Sequence, residues 1–229
     1  MSQPGHPPRD YQIDELMRGG KSLLATLKPR HLKVIAEFLV RAWEGLLEDQ
    51  QQVIRTQEEV EINALMESRL LGLLQEGRAW STLVSSVVRG KESLSHDGSS
   101  LEKRPDLSIY LTKKDLRFPL IIECKLIDKK VSKEVALYGH EGLARFLNGE
   151  YAWYAYEAFM LAYVRDDSTI GDCLAPHLAE RQNRAPDPFL TMQLPQIVKL
   201  LSQDLAKSRH GRRFQNNPGP IDIWHLWLS

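Results

Sequence analysis

The sequence lacks several features that would identify a class of protein at once. Its two cysteines, Cys124 and Cys173, show no metal-ligand spacing, and cysteines without a pattern favour a reducing compartment. No apolar run approaches the roughly 18–20 residues that a membrane-spanning helix needs. The segment Met1–Asp10 is polar and rich in proline, without the apolar stretch of a signal peptide. We therefore expect a cytoplasmic protein.

Net charge is also absent, since 30 Lys and Arg residues balance 30 Asp and Glu residues. There is no internal repeat, no phosphate-binding P-loop and no defensible Ser-His-Asp order. The charges are nevertheless unevenly placed, with nine basic against four acidic residues from Lys103 to Lys133 and mostly acidic charge from Glu44 to Glu67. A basic surface beside an acidic pocket suits a phosphodiester substrate. Two solvated surfaces of opposite sign are the alternative.

A hairpin-like stretch stands out near the middle of the chain. Leu107–Thr112 and Pro119–Ile127 have the character of strands, with the polar turn Lys113–Arg117 between them. Seven of the nine residues in the second run are apolar, and the exceptions are Glu123 and Lys125. These two residues are two apart and therefore point to one face of a strand. Burying them costs several kcal/mol unless they are paired or bind a metal, so the pattern predicts a functional site.

The position of the turn also predicts the register of the hairpin. If the hairpin is centred between Lys114 and Asp115, Asp106 lies opposite Glu123, with Cβ atoms roughly 4.5–5.5 Å apart. Two carboxylates at that distance repel unless one is protonated or a cation lies between them. An oxygen-seeking ion such as Mg²⁺ fits best. A slip of one residue would turn Asp106 to the opposite face.

Pro105-Asp106, sixteen further residues and Glu123-Cys124-Lys125 together resemble the PD-(D/E)xK signature of the restriction-endonuclease-like nucleases. The resemblance implies an αβββαβ core and metal-dependent hydrolysis of phosphodiester bonds, with DNA as the expected substrate. It makes Asp106 and Glu123 ligands of Mg²⁺, with Mn²⁺ as a substitute, and adds the carbonyl of Cys124. Lys125 would orient the attacking water and offset charge in the transition state.

The same family often places an acidic ligand near the start of the helix before the sheet. The segment Glu59–Asn63 is similar to that pattern, with Glu59 as the first candidate for an additional catalytic and metal-binding residue and Glu61 as the second. We expect this helix at about 56–76, where Thr56 and Glu59 are spaced as a capping box. Carboxylates are also favourable at a helix start because of the helix dipole, and this is the competing explanation.

Basic residues after the second strand are candidates for contact with a nucleic acid backbone. Three lysines fall at the start of a helix that we predict over Lys129–Asn148, although a solvated helix start explains them equally well. The segment Arg145–Tyr151 is similar to a motif of some defence nucleases, which makes Arg145 a partner for a phosphate or a carboxylate. The candidates are Lys129, Lys130, Lys133, Arg145 and His210.

Aromatic residues are concentrated between Glu150 and Tyr156. They are Tyr151, Trp153, Tyr154 and Tyr156. Such residues can stack on unpaired bases, but more often they belong to a core or an interface. The sequence leaves both roles open.

The expected fold class is α/β, with a mixed central sheet flanked by helices. We assign 1–53 to a tail and a helical N-terminal extension, 54–166 to the nuclease-like core, and 167–229 to an α+β addition packed on the core. Further predicted elements are a helix at 30–49, strands at 80–88 and 158–164, a helix at 169–180, an edge strand at 189–194, a helix at 195–207, a basic loop at 208–213 and a strand at 221–228.

The resemblance suggests the effector of an antiphage or restriction system that acts with a protein partner, such as an ATPase or a specificity subunit, and it leaves homo-oligomerisation open. A catalytically silent module with the nuclease fold, binding nucleic acid or a partner protein, is the alternative. The intact set of Asp106, Glu123 and Lys125 favours the enzyme.

Overall fold

Seven strands form one mixed sheet in the computed structural model, which describes residues 26–92, 104–114, 116–198, 202–215 and 217–229. The strands are β1 Val84–Arg89, β2 Leu107–Leu111, β3 Leu120–Ile127, β4 Glu157–Val164, β5 Thr191–Ile197, β6 Asp204–His210 and β7 Ile221–Leu228. The predicted N-terminal tail lies outside the described residues.

Helices lie on both faces of the sheet, which confirms the α/β class. They are α1 Pro29–Thr56, α2 Glu59–Glu76, α3 Arg78–Leu83, α4 Val135–Leu137, α5 Ala144–Leu147 and α6 Ala175–Gln182. A π-helical turn, Tyr138–Leu143, joins α4 to α5, a second one, Ile170–Leu174, precedes α6, and Lys129–Val131 is a 3₁₀ turn.

The strand order is β1-β2-β3-β4-β7-β6-β5. The pairs β3–β4 and β4–β7 are parallel, and the other four pairs are antiparallel. The segment predicted as a C-terminal addition, 167–229, therefore contributes three strands to the same sheet that carries the hairpin. Its strand β7 lies between β4 and β6.

The central strand β4 shows how the two faces are covered. Phe159, Leu161 and Tyr163 pack in the layer formed by α1 and α2. Met160 and Ala162 pack in the opposite layer, which contains the helical run from α4 to α5 and the segment that leads into α6. All eight residues of β4 are buried, as expected for a strand between two helical layers.

Strand β7 has the predicted bounds and the predicted alternation. Trp224, Leu226 and Leu228 pack in the layer of α1 and α2, whereas Ile223 and Trp227 pack on the other side. The alternation of Trp224, Leu226 and Leu228 located this strand although buried apolar residues lie on both of its faces.

The prediction of a strand from Trp80 to Val88 was wrong in its first half. Arg78–Leu83 forms helix α3, and the strand begins at Val84. The fully buried ring of Trp80 stacks on Phe38 of α1 at a centroid distance of 4.5 Å. Packing between helices therefore overrides the β propensity of this segment.

The predicted helix Pro195–Lys207 and basic loop Ser208–Arg213 were also wrong. Strand β5 continues through Pro195 to Ile197, and β6 occupies Asp204–His210. An edge strand tolerates proline, and β6 is fixed by long-range pairing with β7, which local periodicity does not reveal.

Other helix bounds shifted at their ends. α1 extends to Thr56, so Thr56 ends that helix and donates its hydroxyl hydrogen to the Gln52 carbonyl instead of capping α2. The helix predicted from Lys129 begins only at Val135. Within the described ranges, no helix combines the length and the apolar character that crossing a membrane would require.

A chain of buried hydrogen bonds links β6 and β7 to the helical run. His210 Nδ1 lies 2.9 Å from the carbonyl oxygen of Phe189 and must donate to it, so His210 Nε2 accepts from the Ser208 hydroxyl at 2.7 Å. His225 Nε2 then donates to Ser208 Oγ at 2.7 Å, and its Nδ1 accepts from the Tyr138 hydroxyl at 2.9 Å. Both imidazoles are neutral in this arrangement.

Burial corrects the sequence-based role of His210. Its side chain and that of His225 have no exposed surface, so His210 is not available to a nucleic acid phosphate. Burial lowers the pKa of His210 to about 4 and the pKa of His225 well below its usual value.

These histidines predict a loss of stability in acid. The unfolded chain takes up protons below a pKa of about 6.5, whereas the folded state resists until about pH 4. The free energy of unfolding should therefore fall as the pH is lowered through this window, with His210 contributing on the order of 3 kcal/mol. Urea unfolding at a series of pH values measures this slope.

His210→Asn should flatten that slope, because a titrating group is removed while the amide can still donate to Phe189. The matched control is Tyr154→Phe, which removes a buried hydroxyl that donates to the Pro119 carbonyl at 2.8 Å but removes no imidazole, and it should retain the wild-type slope. Parallel curves for His210→Asn and the wild type would contradict the assignment.

Candidate active site

The site forms where β2 and β3 separate. Their antiparallel pairing ends at Leu107 opposite Ile122. The same register places Asp106 opposite Glu123, as predicted from the position of the turn. β3 continues to Ile127, so its last residues extend beyond the partner strand.

Two carboxylates take the place of the missing strand. The backbone N–H of Cys124 donates to Asp106 Oδ2 at 2.7 Å, and the N–H of Leu126 donates to Glu59 Oε2 at 2.9 Å. These N–H groups are two residues apart and point to the same edge of β3. The side chains of Asp106 and Glu59 are therefore fixed by the backbone of the strand that carries Glu123 and Lys125.

Asn63 connects this edge to the core and was missed by the sequence analysis. It lies one turn after Glu59 on α2 and is 2% exposed. Its Nδ2 donates to Asp106 Oδ1 at 3.0 Å, and its Oδ1 accepts from the Tyr163 hydroxyl at 2.8 Å. The available signal was its i, i+4 spacing from Glu59 on an otherwise apolar face, next to Ile62.

The Lys125 ammonium lies among oxygen atoms. Its Nζ is 3.0 Å from Glu123 Oε1, 3.2 Å from Glu59 Oε1 and 2.8 Å from the carbonyl oxygen of Cys124. The side chain of Lys125 is 12% exposed and that of Glu123 is 1% exposed. As predicted, both residues lie on the face of β3 opposite to the Cys124 side chain.

Arg145 is the second cation of the site. Its Nη1 lies 3.0 Å from Glu123 Oε1 and donates to the Tyr151 hydroxyl at 2.9 Å. Tyr151 in turn donates to the carbonyl of Arg104 at 2.9 Å. Of the two partners that the sequence suggested for Arg145, the structure places its guanidinium against a carboxylate.

The π-helical turn covers the aliphatic part of Lys125. A Cβ atom at Gly142 would lie 3.5 Å from Lys125 Cγ and 2.5 Å from the terminal methyl group of Met160. Glycine at this position therefore permits the turn to approach the lysine closely. π-Helical turns inside helices are frequent at functional sites.

The site contains three carboxylates, from Glu59, Asp106 and Glu123, against two cations, Lys125 and Arg145. Burial raises the pKa of Glu123 to about 8, with a further contribution from Asp106, and burial also raises the pKa of Glu59. Burial alone would lower the pKa of Lys125, but the charges of Glu123 and Glu59 outweigh it and raise that pKa. The raised pKa of Glu123 favours its protonated form, and a proton there would balance the charges of the site.

The site contains oxygen donors of the type that bind divalent ions. Glu123 Oε2 is buried and has no hydrogen-bond partner among the described residues. The same cluster contains hard oxygen donors of the kind that Mg²⁺ prefers, the Asp106 carboxylate and the Cys124 carbonyl. In the part of the chain that the structure describes, no group of three or more His, Cys, Asp or Glu side chains is already arranged to hold a metal. The Lys125 ammonium lies between the carboxylates of Glu59 and Glu123.

Family models, curated proteins and solved structures give no match to this chain. Its functional interpretation therefore rests on the geometry of the site. Side chains from three separate parts of the chain, Glu59, Asp106 and Arg145, converge on the end of β3 that carries Glu123 and Lys125.

The remaining predicted residues lie outside the cluster. Glu61 is exposed on α2, so Glu59 is the glutamate that the helix brings to β3. Lys129 and Lys130 are exposed in the 3₁₀ turn after β3, and Lys133 is partly buried just beyond it. These lysines therefore do not form a helix start, but two of them remain accessible to a ligand.

The Tyr163–Asn63–Asp106 connection predicts a measurable coupling. Asn63→Ala leaves Asp106 Oδ1 without its buried donor and leaves the Tyr163 hydroxyl with only the Cys124 sulfur, 3.6 Å away. We expect a cost of about 1–3 kcal/mol in the free energy of unfolding. Tyr163→Phe should then lower the free energy of unfolding less in the Asn63→Ala variant than in the wild type. We expect the difference, which is the coupling energy, to be about 0.5–3 kcal/mol. Urea unfolding of the two single variants and the double variant measures this coupling.

Tyr154→Phe provides the matched control, because the Tyr154 hydroxyl donates to the Pro119 carbonyl at 2.8 Å and shares no partner with Asn63. Its effect should add to that of Asn63→Ala within about 0.5 kcal/mol. Equal coupling for both tyrosines would contradict the connection.

Proposed function

We propose that this chain is a metal-dependent nuclease of the PD-(D/E)xK type, with DNA as the expected substrate. The observation that carries the proposal is the convergence of Asp106, Glu123 and Lys125 at the separated end of the β2–β3 hairpin. Apart from the short helix α3 between α2 and β1, the order α2, β1, β2, β3, helical run, β4 supports a restriction-endonuclease-like αβββαβ core.

The ion that the proposal requires is Mg²⁺, with Mn²⁺ as a substitute. Asp106, Glu123 and the Cys124 carbonyl would hold it, with Glu59 at the edge of the site. When bound, such an ion supplies positive charge to the phosphate and lowers the pKa of the attacking water. The surplus carboxylate favours this ion, because the proton held by Glu123 can be exchanged for a cation.

Lys125 is the residue that we assign to the reacting groups. Its ammonium is held within 3.2 Å of two carboxylates and stays charged at neutral pH because they raise its pKa. A fixed ammonium can orient a water molecule and offset the negative charge that develops on the phosphate. Arg145 holds Glu123 in place through its contact with Oε1.

The exposed lysines after β3 supply a contact for the substrate backbone. Lys129 and Lys130 follow the strand that carries the site, separated from it by Asp128. Phosphate contacts of this kind position a nucleic acid without reading its sequence.

The alternative is a silent module that binds nucleic acid without cutting it. Both Asp106 oxygens accept hydrogen bonds from the protein, and Lys125 is fully engaged by oxygen atoms. In this alternative the same contacts serve only to close the end of the hairpin. The two functions differ in whether bound DNA is cleaved.

Cleavage of supercoiled, linear and single-stranded DNA in Mg²⁺, Mn²⁺ or EDTA tests the proposal. We expect cutting with either ion and none in EDTA. Asp106→Asn, Glu123→Gln and Lys125→Met should each reduce the rate by roughly 10²–10⁴.

A matched control comes from the helix that carries Glu59. Glu61→Gln changes an exposed residue two positions from Glu59 and should cut at a rate close to that of the wild type. Equal cutting by the wild type and all three site variants would defeat the assignment of the site.

Ion binding gives a readout that does not depend on cleavage. Titration with Mn²⁺ in buffers of different ionisation enthalpy should show heat of binding and release of protons at pH 7, because Glu123 loses its proton. Glu123→Gln should bind more weakly and release fewer protons. A wild-type protein that neither binds the ion nor cuts DNA would disprove the nuclease.

A further inference from the structure

An aromatic pocket lies two residues along the β2–β3 hairpin from the carboxylates of Asp106 and Glu123. Ser108 and Ile121 are paired on β2 and β3, and they lie two residues from Asp106 and Glu123 on the same face of the hairpin. Two residues along a strand span roughly 7 Å. The cavity has a volume of about 170 Å³. Its lining is Lys91, Glu92, Ser108, Tyr110, Leu116, Arg117, Phe118, Pro119, Ile121, Trp153 and Tyr154.

The aromatic rings of the pocket hold one another in place. Phe118 packs edge-to-face on Tyr154 at a centroid distance of 4.7 Å and on Trp153 at 6.3 Å, and Trp153 packs on Tyr154 at 5.4 Å. The Tyr154 hydroxyl is also anchored to the Pro119 carbonyl. Since these rings are already ordered, the binding of a planar ligand that stacks on them costs little conformational entropy of the protein side chains.

Two cationic side chains lie over rings of the same pocket. Lys91 Nζ is 4.8 Å from the centroid of the Tyr110 ring, and Arg117 Cζ is 5.5 Å from that of Phe118. The carboxylate of Glu92 is paired with Arg104 at 2.6 Å. Aromatic faces next to positive charge suit a ligand with a flat ring and an anionic group.

We propose that this pocket receives one unpaired nucleobase of the strand that is cut. The inference rests on the proposed function, because the phosphate of that nucleotide would lie at Asp106 and Glu123. The size of the cavity limits the occupant to a single base, since it is smaller than the roughly 300–1,000 Å³ of sites for larger ligands. A base in a duplex is not free to enter, so the substrate is single-stranded or opened at the cleavage point.

The test measures the affinity of the full chain for single-stranded oligonucleotides in EDTA, by fluorescence anisotropy. Binding of an intact strand is compared with strands in which one base at a time is removed while the sugar and phosphate remain. Removing the base that enters the pocket should weaken binding about tenfold. Phe118→Ala should weaken binding of the intact strand by a similar factor and abolish the difference between the intact and the abasic strand.

Phe38→Ala is the matched control, because Phe38 is also partly buried and packs on one aromatic ring, but in the layer of α1 on the opposite face of the sheet. It should retain the preference for the intact strand. Equal affinity for all abasic strands, no effect of Phe118→Ala on that preference, or no binding of single strands by the wild type would each overturn the inference.

Cleavage of the same strands in Mg²⁺ separates this inference from the proposed function. If the wild type prefers the intact strand but does not cut it, the result would support the base-binding pocket and contradict the proposed nuclease activity. If the wild type cuts the strands but base removal does not change its affinity, the result would support the nuclease activity and contradict the role of the pocket.

Discussion

The site depends on the early end of pairing between β2 and β3. Beyond Ile122 the edge of β3 carries N–H groups that no neighbouring strand accepts. The carboxylates of Asp106 and Glu59 accept two of these hydrogen bonds. Unpaired buried N–H groups are costly, so the need to satisfy the backbone fixes the positions of both acids.

This arrangement gives the buried charges a structural reason to be close together. Glu123 faces its neighbours with almost no access to water, and Lys125 and Arg145 neutralise only two of the three acids. A proton on Glu123, which its raised pKa favours, would remove the remaining negative charge. A divalent ion would remove it as well, which links the acid–base state of Glu123 to the chemistry that we propose.

Local patterns predicted the part of the fold that depends on neighbouring residues. The hairpin register followed from the position of the turn, and the bounds of β7 followed from its alternation, because the period of a strand is visible in a short segment. The helix predicted at Pro195–Lys207 failed because pairing of β6 with β7 is a contact between distant parts of the chain. Asn63 was missed for the same reason, since its partners Asp106 and Tyr163 are 43 and 100 residues away.

The position of β7 has a consequence for how the protein folds during synthesis. β4 precedes it by more than 50 residues in the chain, and β6 is joined to β4 only through β7. Until the ribosome has released β7, the inner edge of β4 is open and β5 and β6 have no place in the sheet. Completion of the sheet therefore waits for β7, and until then the nascent chain presents an apolar strand edge that is prone to aggregation and to capture by chaperones.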